Sequence, residues 1–398
     1  MFDLKSARNR VLSNVTALSC ESVPVFQALG RVLREPMVTK SASPRFDASA
    51  MDGYAVRAAD ITLGSAFSVV GEARTGQTPG QLTIGSVMRI FTGAALPFGA
   101  DAVVMQETVE RDGARARFLS IPKPGENVRF RGEDLAEGAV ALRAGSRLSA
   151  GALMLAASLD IVTCVVTRRP RVTILCTGDE LRLSGESGPL GTIPESNSPG
   201  IRALAAHSGA EVIAVPLVED EPRLVRDAVA KSLDASDLLV TVGGVSVGEH
   251  DYVRSALQEV GVELDFWKVA IKPGKPLAFG RLGSHAVLAL PGNPASALVT
   301  FALFGVPLLR AMQSDRRCVP FSTLVASASD LKRHAERVVV SIGNVVERDG
   351  QSAFLPHPNQ SSGATLALAV SDGVALIEPG DLPCEAGTLV PFLSWAAL

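Results

Sequence analysis

The spacing of apolar and polar positions changes character several times along the chain. Val11, Val15 and Leu18 fall on one helical face, and Pro24, Gly30 and Pro36 punctuate extended chain after them. Residues 41–136 are rich in Gly and Pro and carry short β-like runs at 67–70, 87–91, 102–106, 109–111 and 115–119, with Asp112-Gly113 as a hairpin signal. Residues 137–169 return to helix, where Ser149 is placed to cap the apolar stretch GALMLAASL. Helices on both sides of the β segment predict a discontinuous helical/extended domain, residues 1–40 and 137–169, with a small β domain, 41–136, inserted in it.

From residue 170 to 315 strand and helix patterns alternate, which predicts a central parallel-sheet α/β domain. Strands are expected at 171–176, 211–215, 238–242, 263–270 and 286–290. Helices are expected from Ser198-Pro199 to Ser208-Gly209, from Glu221-Pro222 over 223–231, around Val253, Ala256, Leu257 and Val260 until Gly261, and over 295–304. Residues 316–398 read as a C-terminal β-barrel-like domain, with strands at 337–341, 353–355, 374–377 and 388–392. The expected fold is therefore an elongated multidomain α/β protein.

The totals narrow the function. A chain of 398 residues exceeds a single core. A net charge of −3 with 5% aromatics gives neither the basic footprint nor the stacking platforms of a nucleic-acid binder. The five cysteines (Cys20, Cys164, Cys176, Cys318 and Cys384) are scattered, which argues against a zinc site and a disulfide framework. The first ten residues, MFDLKSARNR, have no apolar core of a signal peptide, and the apolar run at 295–309 is interrupted by Gly305 and Pro307. A cytoplasmic location is the expectation, with no membrane and no nucleic acid among the partners.

Unusual loops follow the expected strands of the α/β domain: residues 177–181 (TGDEL), 219–220, 243–251 (GGVSVGEHD), 272–275 (KPGK) and 291–296 (PGNPAS). In open α/β sheets ligands sit outside the carboxyl ends of the strands, so these loops are expected on one rim. Gly243-Gly244 ends an apolar strand before a helix, a geometry that offers backbone N–H groups to an anion. Glu249, His250 and Asp251 in the same loop suit a metal or an N–H-rich ligand edge instead. The expected ligand is thus anionic at one end and N–H rich at the other, together with a divalent metal. A plain strand–turn–helix with Asp251 as a cap explains the same residues. Lys268, Lys272 and Lys275 form a basic, proline-stiffened turn that reads as an oxyanion cradle or as an exposed basic turn. Glu180, Asp220 and Asp251 supply the oxygen ligands that Mg²⁺ prefers, whereas a lone loop carboxylate is ordinarily only solvated. No Ser–His–Asp arrangement or Walker sequence is present. Three polar loops in the β domain, at 47–54 (DASAMDGY), 92–96 (TGAAL) and 132–135 (GEDL), read singly as turns.

Taken in order, DASAMDGYA, RIFTGAALP, GED, TGDEL, GGVSVGEHDY, FWKVAIKPGKP and LPGNPAS form a set. It resembles the molybdopterin molybdenumtransferases, MoeA-like proteins related to the E domain of gephyrin, over nearly the whole chain and more strongly before residue 310 than after it. The resemblance implies insertion of molybdate-derived molybdenum into the dithiolene of adenylylated molybdopterin, with Mg²⁺ present and AMP released. It implies that Asp220 and Asp251 serve metal and phosphates, and that Glu180 serves the substrate. Gly243, Gly244, Ser246, Gly248, Glu249, Pro291, Pro294 and Ser296 would line the molybdopterin site. Lys268, Lys272 and Lys275 would hold phosphate and molybdate. It further implies an elongated homodimer in which Asp52, Thr92 and Asp134 complete the partner chain's site. Arg337 and Ser362 match best the Arg and Ser that the family's C-terminal domain offers to molybdate. Around them the pattern departs: Ile342 stands where a second Arg is common, and Ser361 where Gly is usual.

Two other functions fit parts of the chain. A molybdopterin adenylyltransferase-like enzyme shares the α/β domain but not the inserted β domain or the C-terminal barrel; such an enzyme is also a possible partner. A non-catalytic gephyrin-like scaffold would need no carboxylate rim, yet Asp52, Asp134, Glu180, Asp220 and Asp251 are all kept.

Overall fold

The structure is a computed structural model that describes residues 1–13, 15–245, 252–348 and 350–398. Its centre is a sheet with strands in the order Glu211–Ala214, Arg171–Thr177, Leu238–Val242, His285–Leu290, Ala278–Leu282 and Glu263–Phe266, with Leu217–Val218 also paired to Arg171–Thr177. The first four are mutually parallel; Ala278–Leu282 runs antiparallel to both its neighbours, so Glu263–Phe266 points the same way as the first four. The expected long strand at 263–270 thus stops at Phe266. It pairs with Ala278–Leu282, a strand not among those expected because it follows the proline-rich basic turn.

Continuous apolar runs form the middle strands because both faces are covered. Val172, Ile174, Leu238, Val240, Leu288 and Leu290 face a core that includes Ile201 and Ala205 of the helix Asn197–His207. Leu175, Leu239 and Val287 face the opposite core, built on Val225, Val229 and Leu233 of the helix Pro222–Ala235 and Val253 and Leu257 of Tyr252–Glu259. Glu221 caps the second of these helices by accepting from the Leu224 amide. The helix expected from Ser198 begins earlier: the Glu195 carboxylate accepts from the Asn197 and Ser198 amides and does the capping.

The apolar helix expected at 295–304 runs on to Met312. Pro307 has no amide to close onto Leu303, and a π-helical segment, Phe301–Gly305, takes up the mismatch. At 19 residues the whole helix, Pro294–Met312, is long and apolar enough to cross a membrane, but 83% of that window is buried inside the fold. It is the central core helix. The N-terminal helix Leu4–Ser13 packs Leu4, Ala7 and Val11 into the same core.

The C-terminal barrel shares this core through Val338, Val340, Ile342, Val374 and Leu393. Its five strands close on themselves. Val338–Arg348 pairs with both Gln351–Pro356 and Gly373–Ile377, and Thr323–Ser327 pairs with Gln351–Pro356 and with Leu389–Ser394. Leu389–Ser394 completes the ring against Gly373–Ile377. A short parallel pairing of Ile271 and Lys272 with Val338 and Val339 ties the barrel to the basic turn.

In the 41–136 segment a six-stranded sheet runs Ala102–Met105, Gly53–Val56, Ser86–Ile90, Ala66–Ala73, Arg115–Phe118 and Val109–Asp112. The end of the polar loop expected at 47–54 is therefore an interior strand. Glycine is required where it starts: a Cβ on Gly53 would lie 2.0 Å from the Val104 carbonyl oxygen.

Candidate functional site

Strands Leu238–Val242 and His285–Leu290 end level with each other, Val242 opposite Leu290, and the Gly243 amide donates to the Leu290 carbonyl at 3.2 Å. Arg171–Thr177 ends beside them, with Cys176 opposite Val242. The chains leaving these ends line a cleft of about 410 Å³ with Thr177, Gly178 and Glu180, Gly243 and Gly244, and Pro291 to Pro294. Asp220, following Leu217–Val218, and Ser196 and Asn197, at the start of their helix, complete it.

Backbone conformation decides how closely these loops approach. Gly243 and Gly244 have φ of 94° and 61°. A Cβ on Gly243 would lie 2.6 Å from the Thr177 carbonyl oxygen, and one on Gly244 would lie 2.4 Å from the Val253 side chain. Gly178 has φ of 153° and leaves the space in which the Glu180 carboxylate sits. Asn197 Nδ2 donates to the Gly292 carbonyl at 2.7 Å, which joins two of the loops. The Asp220 amide donates to Asp179 Oδ1 at 2.9 Å, which joins two more.

Thr177 Oγ1 and Asn197 Oδ1 are buried oxygens without a hydrogen-bond partner in this chain, and both residues line the cleft. Orphaned buried oxygens are costly and call for a ligand or water. The sequence marks Thr177 only as the first residue of the TGDEL loop, and Asn197 lies just before the expected helix start at Ser198; the sequence assigns neither side chain a role. Burial, and secondly Glu195, push the Cys176 thiol up, so this cysteine is an inert core residue and no nucleophile.

The other anticipated residues fall in three places. Pro276, which follows the basic turn, lines the cleft, while Lys268, Lys272 and Lys275 are exposed and outside its lining. Ser296 is buried in the core helix, and its carbonyl accepts from Thr300 Oγ1. The Ser362 carbonyl accepts from the Ala295 amide at 2.9 Å, so the barrel's 361–364 segment abuts the start of the core helix. Arg337 is turned onto His334, with Nε 3.0 Å from its Nε2. Ser246, Gly248, Glu249, His250 and Asp251 lie outside the described residues. No group of three His, Cys, Asp or Glu side chains able to hold a metal occurs among the described residues.

The polar loops of the β domain form a patch of their own. Asp52 Oδ1 accepts from the Thr92 amide at 2.7 Å and from Thr92 Oγ1 at 2.9 Å. These two bonds, the amide's first, hold the Asp52 carboxyl below its ordinary value. Asp47 Oδ1 accepts from the Arg131 amide and the Asp47 carbonyl from the Leu96 amide. Asp134 pairs with Arg129 at 2.9 Å. The residues Asp52, Thr92 and Asp134 are exposed and none lines the cleft of their own chain.

Three family models match the chain in sequence order: MoeA N-terminal region (domains I and II) over residues 2–159, probable molybdopterin binding domain over 173–311, and MoeA C-terminal region (domain IV) over 325–395. The chain belongs to the MoeA family. A molybdopterin molybdenumtransferase of Haemophilus influenzae is 39% identical over 80% of this chain and 79% of its own length. One from Nostoc is 35% identical over 92% of this chain and 87% of its own. The crystal structure of a molybdopterin biosynthesis MoeA protein from Pyrococcus horikoshii OT3 superposes with a TM-score of 0.85 at 27% identity, covering 99% of this chain and 100% of that one. The match of the probable molybdopterin binding domain over residues 173–311 contains the cleft, and the match over residues 2–159 contains the Asp52–Thr92 patch.

Two outcomes follow from this geometry. Gly243→Ala must strain the loop or displace Thr177, at a cost of about 1–3 kcal/mol; urea denaturation should show a lower midpoint, and an unchanged midpoint would contradict the close approach. A lowered carboxyl pKa stabilises the loop above the unfolded-state value, and that contribution is lost as pH falls through the lowered folded value. In Thr92→Val one of the two bonds goes, so the Asp52 midpoint followed by NMR should move up toward that of a free aspartate. A midpoint that stays put would refute the assignment.

Proposed function

We propose that this enzyme is a molybdopterin molybdenumtransferase that inserts molybdate-derived molybdenum into the dithiolene of adenylylated molybdopterin and releases AMP. The cleft at the carboxyl edge of the parallel strands carries this reading. It combines hydrogen-bond acceptors for an N–H-rich pterin (Thr177 Oγ1, Asn197 Oδ1 and the Glu180 carboxylate) with the Gly244 backbone and the positive dipole end of the core helix for phosphates. Molybdate and the pterin nucleotide are the substrates.

Mg²⁺ fits the donors present. It binds through one or two carboxylates plus substrate phosphates and retained water, so a closed protein cage is not required. Asp220, on the cleft, and Asp251 would hold it, and it would neutralise charge on the phosphates. Lys268, Lys272 and Lys275 add positive charge beside Pro276 at the cleft margin. Ser362, whose carbonyl meets the start of the core helix, and Arg337 of the barrel would orient molybdate.

The Asp52–Thr92 patch and Asp134 are assigned to the site of a second copy in a homodimer, because they are exposed and absent from their own chain's cleft. A cytoplasmic location suits the scattered free thiols. A molybdopterin adenylyltransferase is a fitting partner, since it would supply the adenylylated substrate.

Purified protein given adenylylated molybdopterin, molybdate and Mg²⁺ should release AMP and yield active cofactor, and removal of Mg²⁺ should stop the release. In the same assay, mixing Asp52→Ala chains with Asp220→Ala chains should restore part of the activity that each lacks alone. Absence of AMP release from wild-type protein would overturn the reaction; absence of rescue in confirmed mixed dimers would place the whole site in one chain.

A further inference from the structure

A second cleft, of about 790 Å³, lies where the helix Ala150–Ser158 and the preceding turn meet the chain that leaves the core helix. It is lined by four guanidinium groups, Arg147, Arg310, Arg316 and Arg317, against a single carboxylate, Asp315. The chain as a whole has a net charge of −3, so this concentration of positive charge is local.

The one carboxylate is already committed. Asp315 Oδ2 accepts from Arg147 Nε at 2.9 Å, and Oδ1 accepts from the Arg317 amide at 2.9 Å. Arg147 Nη1 donates to the Gly30 carbonyl at 2.7 Å, whereas its Nη2 is buried with no acceptor. Arg310 Nη2 donates to the Ala397 carbonyl and to a carboxylate oxygen of the last residue, Leu398, and its Nε is likewise buried and unpaired. Burial first and the Arg147 charge second make the Arg310 charge harder to keep. Arg316 and Arg317 carry exposed side chains.

The cleft is also shaped. The Arg316 amide donates to the Gly145 carbonyl at 3.0 Å, and a Cβ on Gly145 would lie 2.5 Å from Arg316 Cγ. Gly145, with φ of 78°, therefore lets the Arg316 stem lie across the turn and sets where its head can reach. From the other wall the helix Ala150–Ser158 presents its first turn: Ser149 Oγ takes the Ala152 amide, and Gly151 lines the cleft with a first-turn amide that has no intrahelical acceptor. Like charges brought together with their inner N–H groups unpaired are stabilised by a multivalent anion, and the planar guanidinium matches phosphate oxygens in pairs.

We propose that this cleft is a binding site for a diphosphate group, separate from the molybdopterin cleft. Inorganic pyrophosphate and the diphosphate of a nucleotide share that chemistry; monophosphate and sulfate present too little charge to span the four guanidinium groups.

The test is calorimetric titration of the full-length protein with inorganic pyrophosphate, with ADP and inorganic monophosphate as comparisons, at low and at high salt. Arg316→Gln combined with Arg317→Gln alters only exposed side chains, so folding is expected to persist and is checked by circular dichroism. The expected result is binding of one pyrophosphate per chain, weakened by salt and weakened roughly tenfold or more in the double variant, the loss that two charge-assisted contacts would give. Lys272→Gln alters the other phosphate-binding region and so separates the two: the salt-sensitive binding that the double variant loses should persist in it. Tighter binding of ADP than pyrophosphate would identify a nucleotide as the source of the diphosphate. No binding by wild-type protein, equal binding by the double variant, or loss only in Lys272→Gln would overturn the proposal. So would a change of oligomeric state in the double variant by sedimentation, which would make the cleft a seat for another chain's acidic surface.

Discussion

The site depends on strands that stop at the same level. Val242 lies opposite Leu290, Cys176 lies opposite Val242, and the residues that follow the strands are Gly178, Gly243 and Pro291. These strands are buried on both faces, so their register cannot slip without moving apolar side chains out of two cores at once. A fixed register fixes where the loops begin. Close approach of Gly243 to Thr177 and of Gly292 to Gly243 then closes the cleft. Side-chain chemistry is added to a frame that packing has already set.

The core helix extends that frame to the barrel. Its first turn supports one wall of the cleft, its middle is buried among sheet, N-terminal helix and barrel residues, and its end meets the arginine-lined second cleft. The π-helical segment at Phe301–Gly305 keeps it continuous through Pro307. Changes in barrel packing can therefore be felt at the Ala295–Ser362 contact beside the cleft. The two clefts lie at opposite ends of this one helix, one fed by its first turn and the other by the residues after its last.

Much of the frame is legible in the sequence, for physical reasons. Buried parallel strands read as unbroken apolar runs, and Ser149 and Glu221 cap their helices as their positions suggest. Four of the five loops expected on one rim contribute residues to the cleft, and the basic turn 272–275 does not; only Pro276 after it reaches the lining. The strand Ala278–Leu282 escapes because it follows two prolines, and Gly53–Val56 because a polar loop precedes it and a glycine opens it. The core helix outruns its expected end because tertiary burial overrides the breaking tendency of Gly305 and Pro307. At the site, Glu180, Asp220, Gly243, Gly244, Pro291 and Pro294 lie on the cleft, whereas the three lysines are outside its lining. Thr177 is legible only as part of the TGDEL loop and Asn197 not at all, since what distinguishes their side chains is having no partner once folded. The clustering of Arg147 with Arg310, Arg316 and Arg317 is equally hidden, because more than a hundred and fifty positions separate the first from the others.

Hydrogen–deuterium exchange on the intact protein, with and without molybdopterin, tests the central account most directly. Slower exchange is expected in peptides that contain residues 177–181, 243–245 and 291–294 together, since all three bound one cleft. Protection confined to other regions, with these three segments unaffected by ligand, would contradict it.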